Sequence, residues 1–327
     1  MNQFSIILPV RNGGEYVKEC VNSILAQTYQ NFNLIVLDNN SSDGTKEWIE
    51  SLNNNRITIY PSTQDLTITE NWARAVDMPK NEFMTLIGHD DILYPNYLQV
   101  INDLINEYPN ASLYQTHFNY IDANGSIVRE CKPMTTKQSA AEFLQCQFLA
   151  TLDSMGTGYM FRSKDYALLK GMPINYPNLI FADYELWVRL IMLNFKATAQ
   201  KKCFGYRLHN STSKTTNGEQ YQQAFLMYIQ FLISLRNNAA VEKIIDQYGK
   251  SFLMYFCQSL SHRIFKTYRE DRKTTVLQFV EKCIELSSGF IPNQNFNPYF
   301  KIKISAAIVL DNSIGRRIFT LVKKTNS

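Results

Sequence analysis

Residues 4–14 read FSIILPVRNGG, a compact apolar run rich in β-branched residues that is followed at once by polar residues and glycines. Residues 15–26 then place apolar side chains at helical spacing. The same order of strand and helix repeats along the chain. The further predicted strands are 32–37, 57–60 and 83–87, and the further predicted helices are 43–52 and 69–76. This alternation predicts an α/β fold with parallel strands and right-handed crossovers.

Polar residues follow three of these strands, at the points where the strands end. They lie in residues 11–14 (RNGG), 38–43 (DNNSSD) and 89–91 (HDD). Open parallel sheets bind ligands beyond the carboxyl ends of their strands. We therefore expect the three loops to face one crevice.

The pattern becomes mixed after residue 111 and helical after a polar stretch at residues 213–218. Residues 112–120 and 126–129 predict a hairpin, 158–162 an extended segment, and 140–149 and 183–193 two helices. In the helical part, Tyr221, Phe225, Tyr228, Leu232 and Leu235 form a stripe at spacings of four and three. We predict one domain over 1–215 and a helical domain over 216–327.

The composition is that of a globular protein: of 327 residues, 45% are hydrophobic and 19% are charged. A net charge of +4 is too small to indicate a nucleic-acid partner. The six cysteines are widely spaced without a CxxC pair, which favours free thiols in a reducing compartment. Residues 224–235, the longest uncharged apolar stretch, are too short to cross a bilayer. These features predict a cytoplasmic protein.

Asp90 and Asp91 directly follow an apolar strand. Two carboxylates there could hold a divalent cation and a ribose, because hard oxygen ligands suit Mg²⁺ or Mn²⁺. The alternative is that they cap a helix beginning near Tyr94 and Pro95, since Asp is favoured at that position. The pair alone leaves both interpretations open.

Three further residues have similar alternatives. Asp38 ends an apolar strand and could bind a base or a ribose, whereas residues 40–43 could merely cap the next helix. Asp183 opens an amphipathic helix and could be a general base or only a helix cap. His209 could bind a metal or a phosphate, or be structural.

The order of these motifs resembles the inverting nucleotide-sugar glycosyltransferases of family 2, which have the GT-A fold: a Rossmann-like, mostly parallel sheet flanked by helices. Residues 5–16 (SIILPVRNGGEY) are similar to the family's first strand and nucleotide loop. Its most specific stretch corresponds to residues 23–29 (SILAQTY) and 34–45 (LIVLDNNSSDGT). Residues 71–75 (NWARA) and 86–91 (LIGHDD) are similar to the segment that ends in the metal-binding acidic motif.

The resemblance implies a nucleotide-sugar half over about 1–98, an acceptor half over about 99–215, and a role for each matching residue. Asp90 would contact the ribose, Asp91 would bind Mn²⁺ or Mg²⁺ on the diphosphate with His209 as a second ligand, and Asp183 would be the catalytic base. Arg162 and Trp187 would lie on the acceptor side. The remaining nucleotide-sugar site would be formed by Pro9, Val10, Arg11, Asn12, Glu15, Asp38, Asn40 and Arg74.

Two positions depart from the family pattern. Gly88 and His89 precede the aspartates where an acid is frequent, which implies a metal site with less charge. Ala182 stands before the expected base in place of a frequent glutamate, so the acceptor contacts are expected to differ. Neither departure removes a residue that the chemistry requires.

The implied reaction moves a hexose from a UDP-sugar, with inversion, to a hydroxyl of a glycan or lipid-linked acceptor, for surface polysaccharide synthesis. The alternative is a non-catalytic module that binds a nucleotide sugar or a glycan with the same fold. Residues 216–327 are rich in Tyr and Phe and end in the basic, apolar stretch 315–324. That region could complete a helical core, join a second subunit, or make peripheral contact with the inner face of the cell membrane.

Overall fold

A computed structural model describes residues 2–208, 216–267, 272–312 and 314–315. These residues form two compact units. The first comprises residues 2–143, 151–175 and 182–208, and the second comprises 144–150, 176–181 and the described residues from 216 onward. The second unit thus includes two segments that precede the expected boundary at 215/216.

The first unit begins with the alternating elements that the sequence predicts. They are β1 (Phe4–Val10), α1 (Gly14–Leu25), β2 (Phe32–Asp38), α2 (Thr45–Ser51), β3 (Ile57–Ile59), α3 (Ile68–Ala73) and β4 (Phe83–Leu86). The strands lie in the order β3-β2-β1-β4, and every neighbouring pair is parallel. β1, β2 and β4 are almost completely buried, which accounts for their continuous apolar sequences.

The second half of this unit extends the same sheet with strands of both directions. Its elements are β5 (Ile92–Leu93), α4 (Tyr97–Glu107), β6 (Leu113–Ile121), β7 (Ile127–Glu130), β8 (Lys137–Gln138), α5 (Ala140–Phe148), β9 (Met160–Arg162), α6 (Ser163–Leu168), α7 (Ala182–Leu193) and β10 (Lys196–Arg207), and α5 continues into the second unit. β9 lies between β4 and β6 and is antiparallel to both. β10 is parallel to β6, and β6 and β7 form the predicted hairpin.

β10 is absent from the sequence prediction, although it is the longest strand that the structure describes. Its sequence, KATAQKKCFGYR, has three lysines and no regular alternation. Register shifts between Ala199 and Lys202, and between Lys202 and Phe204, interrupt its pairing with β6. Such bulges break the period-2 pattern by which a strand is recognised.

The second unit is helical and has its own aromatic core. Its helices beyond residue 216 are α8 (Gly218–Ser234), α9 (Ala239–Lys266), α10 (Val276–Phe290) and α11 (Ile302–Val309). Phe225, Tyr228 and Leu232 of the predicted stripe are fully buried. Phe181 stacks on Tyr228, with ring centroids 5.3 Å apart. Within the described part of the chain, no helix is long and apolar enough to span a membrane.

Candidate active site

The loops after β1 and β2 interlock at the carboxyl edge of the sheet, as predicted. The Asn12 amide N–H donates to Ser41 Oγ at 3.0 Å, and the Ser42 N–H donates to Asn12 Oδ1 at 2.8 Å. The Gly14 N–H donates to Asp43 Oδ2 at 3.0 Å. Asp43 therefore ties the two loops together.

Asp38, the last residue of β2, has a buried carboxylate. Its Oδ2 accepts a hydrogen bond from the Ser41 N–H at 3.3 Å, whereas its Oδ1 has no hydrogen-bond partner among the residues that the structure describes. A buried polar atom without a partner is costly. Such an oxygen is suited to accept a hydrogen bond from a ligand.

Arg74 supports the backbone behind Asp38. Its Nη1 donates to the Asp38 carbonyl at 3.1 Å and to Asn71 Oδ1 at 2.9 Å, and its Nη2 donates to the Tyr60 carbonyl. These bonds hold the loop in place through the backbone. A direct contact between Arg74 and a nucleotide stays a prediction.

The other residues expected at the nucleotide differ in exposure. Pro9 and Val10 are buried in the sheet, whereas Glu15 is exposed on α1 and pairs with Lys18. Exposed Arg11 forms an ion pair with Asp65, and Asn40 Nδ2 donates to the other oxygen of that carboxylate at 2.9 Å. Asp65 follows β3 and was not identified from the sequence.

Asp90 and Asp91 do not cap a helix, because α4 begins at Tyr97 after the N-cap residue Asn96. Asp91 is buried; its Oδ2 accepts from the Thr157 hydroxyl at 2.6 Å and its Oδ1 from the Arg207 N–H at 3.1 Å. Burial and the neighbouring Asp90 charge raise the pKa of Asp91 well above its usual range. A bound cation would favour the ionised form of Asp91.

Gly88 explains why the two carboxylates can lie together. A Cβ at this position would lie 2.7 Å from Asp90 Oδ1 and 3.1 Å from Asp91 Oδ2. A side chain here would displace at least one carboxylate. The residue that departs from the family pattern therefore provides the space into which both acids fold.

Two carboxyl groups are ligands that a divalent cation accepts, and the need for such a cation stays a prediction. Mg²⁺ is commonly held by one or two carboxylates together with phosphate and water oxygens, and Asp90 and Asp91 supply two converging carboxylates. Among the described residues, no group of three or more His, Cys, Asp or Glu side chains is arranged to hold a metal. His209, the expected additional ligand, lies outside the described residues.

Arg207, the last residue of β10, supports this acidic pair. Its buried guanidinium donates from Nε to the Asp90 carbonyl at 2.7 Å and from Nη1 to the carbonyls of Asp122 and Ala123 at 3.0 and 2.8 Å. Its Nη2 pairs with Glu19 of α1. Arg207 thus connects the acidic loop to α1 and to the β6–β7 hairpin.

Asp183 lies inside the first turn of α7, which begins at Ala182, and is not ahead of the helix as a cap would be. It is half-buried, and this burial raises the pKa of its carboxyl to about 6, although the N–H groups of Tyr184 and Asp183 itself partly oppose the shift. A carboxyl group with this pKa can accept a proton near neutral pH.

The loop Gly156-Thr157-Gly158 adjoins both acidic sites. A Cβ on Gly156 would lie 3.7 Å from Asp183 Oδ2, and Thr157 donates to Asp91. Gly158 has φ +75° and faces the ring of Phe204, where a Cβ would lie 2.7 Å away. The glycines therefore let this loop pass closely between its neighbours.

Trp187, which was expected on the acceptor side, presents no surface to solvent, and a contact with an acceptor stays a prediction. It is fully buried; its Nε1 donates to the Met155 carbonyl at 3.0 Å, and its ring packs on Tyr159. This large apolar side chain belongs to the core, where it anchors the residue that precedes the 156–158 loop.

Arg162 was wrongly expected on the acceptor side. It pairs with Phe83 at the amino end of β4, the edge opposite the acidic loops. Its Nη1 donates to the Ala111 carbonyl at 2.6 Å, and its guanidinium lies over the Phe83 ring. These contacts make it a structural residue.

Sequence reasoning missed three residues that hold the acidic pair: Thr157, Arg207 and Glu19. The two glycines around Thr157 were a detectable signal of a closely packed loop. Arg207 lies 116 residues beyond Asp91, and its contact depends on the pairing of strands that are distant in sequence.

The model of the family described as "Glycosyl transferase family 2" matches residues 5–169, about half of the chain. The chain belongs to glycosyl transferase family 2. This confirms the family that the opening motifs indicated, and it indicates a glycosyltransferase activity.

Two curated relatives illustrate the similarity. An uncharacterised glycosyltransferase of Rickettsia typhi is 23% identical over 71% of this chain and 72% of its own length. The glycosyltransferase GlyG of Streptococcus pneumoniae is 27% identical, but over 38% of this chain and 42% of its own length. The chain thus matches less than half of the streptococcal protein.

The fold is that of a GT-A glycosyltransferase, as predicted. The crystal structure of S. aureus TarS 1-349 in complex with UDP-GlcNAc has a TM-score of 0.70 and covers 99% of this chain and 92% of TarS 1-349. The two sequences are 14% identical. A structure of the same TarS fragment with UDP has a TM-score of 0.59 at 12% identity and covers 90% of this chain and 93% of the fragment.

Proposed function

We propose that this glycosyltransferase moves a hexose from a UDP-sugar to a hydroxyl of a glycan or lipid-linked acceptor with inversion of the anomeric centre. The observation that carries the proposal is Asp183, whose pKa of about 6 suits a general base. The 156–158 loop links it to the acidic pair Asp90 and Asp91.

In this mechanism Asp183 accepts the proton of the acceptor hydroxyl while the oxygen of that hydroxyl attacks the anomeric carbon. The bond between that carbon and the diphosphate oxygen breaks, and the diphosphate leaves with the electron pair. Asp183 then returns its proton to solvent. A single displacement inverts the anomeric centre, and no second carboxyl group is needed as nucleophile.

The donor half of the proposal rests on residues at the carboxyl edge. Asp38 Oδ1 would accept a hydrogen bond from the base or ribose, and Asp90 would contact the ribose. Asp91 would hold Mn²⁺ or Mg²⁺ at the diphosphate, as the family resemblance implies. When bound, such a cation neutralises charge on the leaving diphosphate. The UDP-GlcNAc complex of S. aureus TarS supports a UDP-sugar as donor.

The proposed cellular role follows from the proposed acceptor. A glycan or lipid-linked acceptor fits synthesis of a surface polysaccharide, which would place the enzyme in the cytoplasm.

The test is a panel of nucleotide sugars measured by thermal shift with and without MnCl₂, followed by turnover of the best donor. We expect a UDP-sugar to raise the melting temperature, and EDTA to abolish turnover until Mn²⁺ or Mg²⁺ is added back. Full turnover in excess EDTA would contradict the metal assignment. Donor binding without transfer to any glycan acceptor, and without donor hydrolysis, would favour the non-catalytic binding module.

A further inference from the structure

An exposed apolar face lies at the end of the second unit. Phe300 and Ile302 are 84% and 85% exposed, and Val309 is 71% exposed. α11 buries Ile304 and Ala307 on its inner side, so its outer side presents further apolar residues to solvent. We call this surface the 299–309 face; its members are Tyr299, Phe300, Lys301, Ile302, Lys303, Ala306 and Val309.

Hydrogen bonds hold this face in a defined conformation. The Ser305 hydroxyl donates to the Tyr299 carbonyl at 2.6 Å, and the Ile304 N–H donates to the Lys301 carbonyl at 2.8 Å. α11 packs against α9 and α10. The apolar side chains are therefore presented by folded backbone, and their exposure requires an explanation.

The charged residues within residues 286–310 have one sign. Lys301 and Lys303 alternate with Phe300 and Ile302, and no acidic residue occurs between Glu285 and Asp311. Asp311 is itself buried in an ion pair with Arg272. Burial and the charges of Lys266 and Lys303 lower the pKa of His262. Both lysines therefore lie near this side chain, and Lys266 of α9 adds to the positive region around Lys303.

We propose that the 299–309 face binds the surface of an anionic lipid bilayer. Aromatic and aliphatic side chains between lysines suit the boundary between headgroups and acyl chains, where the lysines meet anionic lipid. A second copy of this chain is a poorer occupant. A two-fold interface brings the same surface of both copies together, so the lysines of this face would lie against each other without an acidic partner. The proposal does not depend on the reaction assigned above.

The test is vesicle flotation of the full chain without nucleotide. We expect it to float with vesicles of phosphatidylcholine and phosphatidylglycerol, and not with phosphatidylcholine alone. Binding should weaken as salt rises, because exposed charges are screened. Absence of flotation with anionic vesicles overturns the proposal.

Variants locate the surface. The double change Phe300→Ser with Ile302→Ser, and separately Lys301→Gln with Lys303→Gln, should each reduce binding at least about tenfold. The matched control is Ile127→Ser with Val128→Ser, which removes two aliphatic side chains that are 61% and 56% exposed elsewhere. Circular dichroism checks that each variant is folded.

The other outcomes are also informative. Binding that survives both double changes, or that the control change lowers equally, overturns the assignment to this face. Light scattering gives the mass of the wild type and of the Phe300→Ser and Ile302→Ser variant. A dimer that becomes a monomer only in this variant makes the face a subunit interface and overturns the membrane proposal.

Discussion

Asp183 is a carboxyl group whose surroundings favour its neutral form. Burial raises its pKa to about 6, so the carboxylate needed for proton abstraction predominates only above that pH. We expect kcat to fall as pH drops through about 6, with a slope of one. A profile that stays flat between pH 5 and 8 would contradict this assignment.

Replacement of Asp183 separates catalysis from folding. Asp183→Asn should lower kcat by at least about a hundredfold, the usual scale for loss of a general base, while donor affinity in calorimetry stays nearly unchanged. A carboxyl with a raised pKa loses stability as pH rises through about 4 to 6, so the neutral variant should melt no lower than wild type above pH 6. Glu185→Gln, two residues along the same helix, is the control and should retain most of the activity.

Asp38 and Asp43 lie five residues apart but should respond differently to substitution. Asp38→Asn changes an oxygen without a partner among the described residues, so it should raise the nucleotide dissociation constant and leave the melting temperature unchanged. Asp43→Asn weakens bonds to the Gly14 and Thr45 N–H groups, so it should lower the melting temperature. Calorimetry and thermal melting in parallel distinguish these effects, and the reverse pattern would exchange the two roles.

At the scale of elements, the loop between Gly156 and Gly158 is the short connection between the acidic pair and the base. Thr157→Val keeps the shape of the side chain but removes the 2.6 Å hydrogen bond to buried Asp91. The bond lowers the pKa of Asp91, so without it a proton competes more strongly with Mn²⁺. The affinity for Mn²⁺ and nucleotide together should then fall by about tenfold for each unit by which that pKa rises. Thr157→Ser retains the hydroxyl and should bind as wild type. Equal loss in both variants would mean that the methyl group matters and the hydrogen bond does not.

The sequence predicted the parallel half of the sheet well because its strands are buried on both sides. Their apolar runs, and the polar residues that end each run, follow directly from that burial. Asp38 and Asp91 were therefore correctly placed at strand ends, and their roles in binding stay predictions. The fold class was predicted for the same reason.

The supports of the site could not be predicted in this way. Thr157 and Asp91 are 66 residues apart, and they meet only because β9 returns antiparallel beside β4. The packing roles of Trp187 and Arg162 were not recognised, because a large or charged residue near a motif is as consistent with packing as with binding. Which of these occurs depends on the direction of a strand and the face of a helix, neither of which the local sequence contains.

On the scale of the whole molecule, residues 176–181 belong to the second unit and directly precede α7, which carries Asp183. Phe181 precedes Asp183 by two residues, has φ +67°, and packs on Tyr228, Phe225 and Phe256. A bulky residue rarely adopts such a φ unless its surroundings enforce it. The aromatic core is what holds this turn.

We therefore expect a chain that ends at Gly218 to lose activity, even though Asp38, Asp90, Asp91 and Asp183 remain. Phe181→Ala in the full chain should destabilise the protein by about 3–5 kcal/mol, the usual cost of truncating a buried Phe, and should also lower kcat. Urea unfolding and steady-state kinetics measure the two effects. A shortened chain with wild-type kcat would show that the turn before α7 needs no support from the helices.

The interleaving of the two units has a consequence for how this enzyme can be recombined. Segments 144–150 and 176–181 belong with the C-terminal helices although the chain returns to the sheet after each. In a chimera that takes only its C-terminal helices from a relative, those helices would have to pack against segments 144–150 and 176–181 of the original chain, including Phe181. Successful grafting would require three pieces of chain to be transferred together. Homologous exchange at a single crossover point is thus disfavoured, and the two units are expected to be inherited as one block.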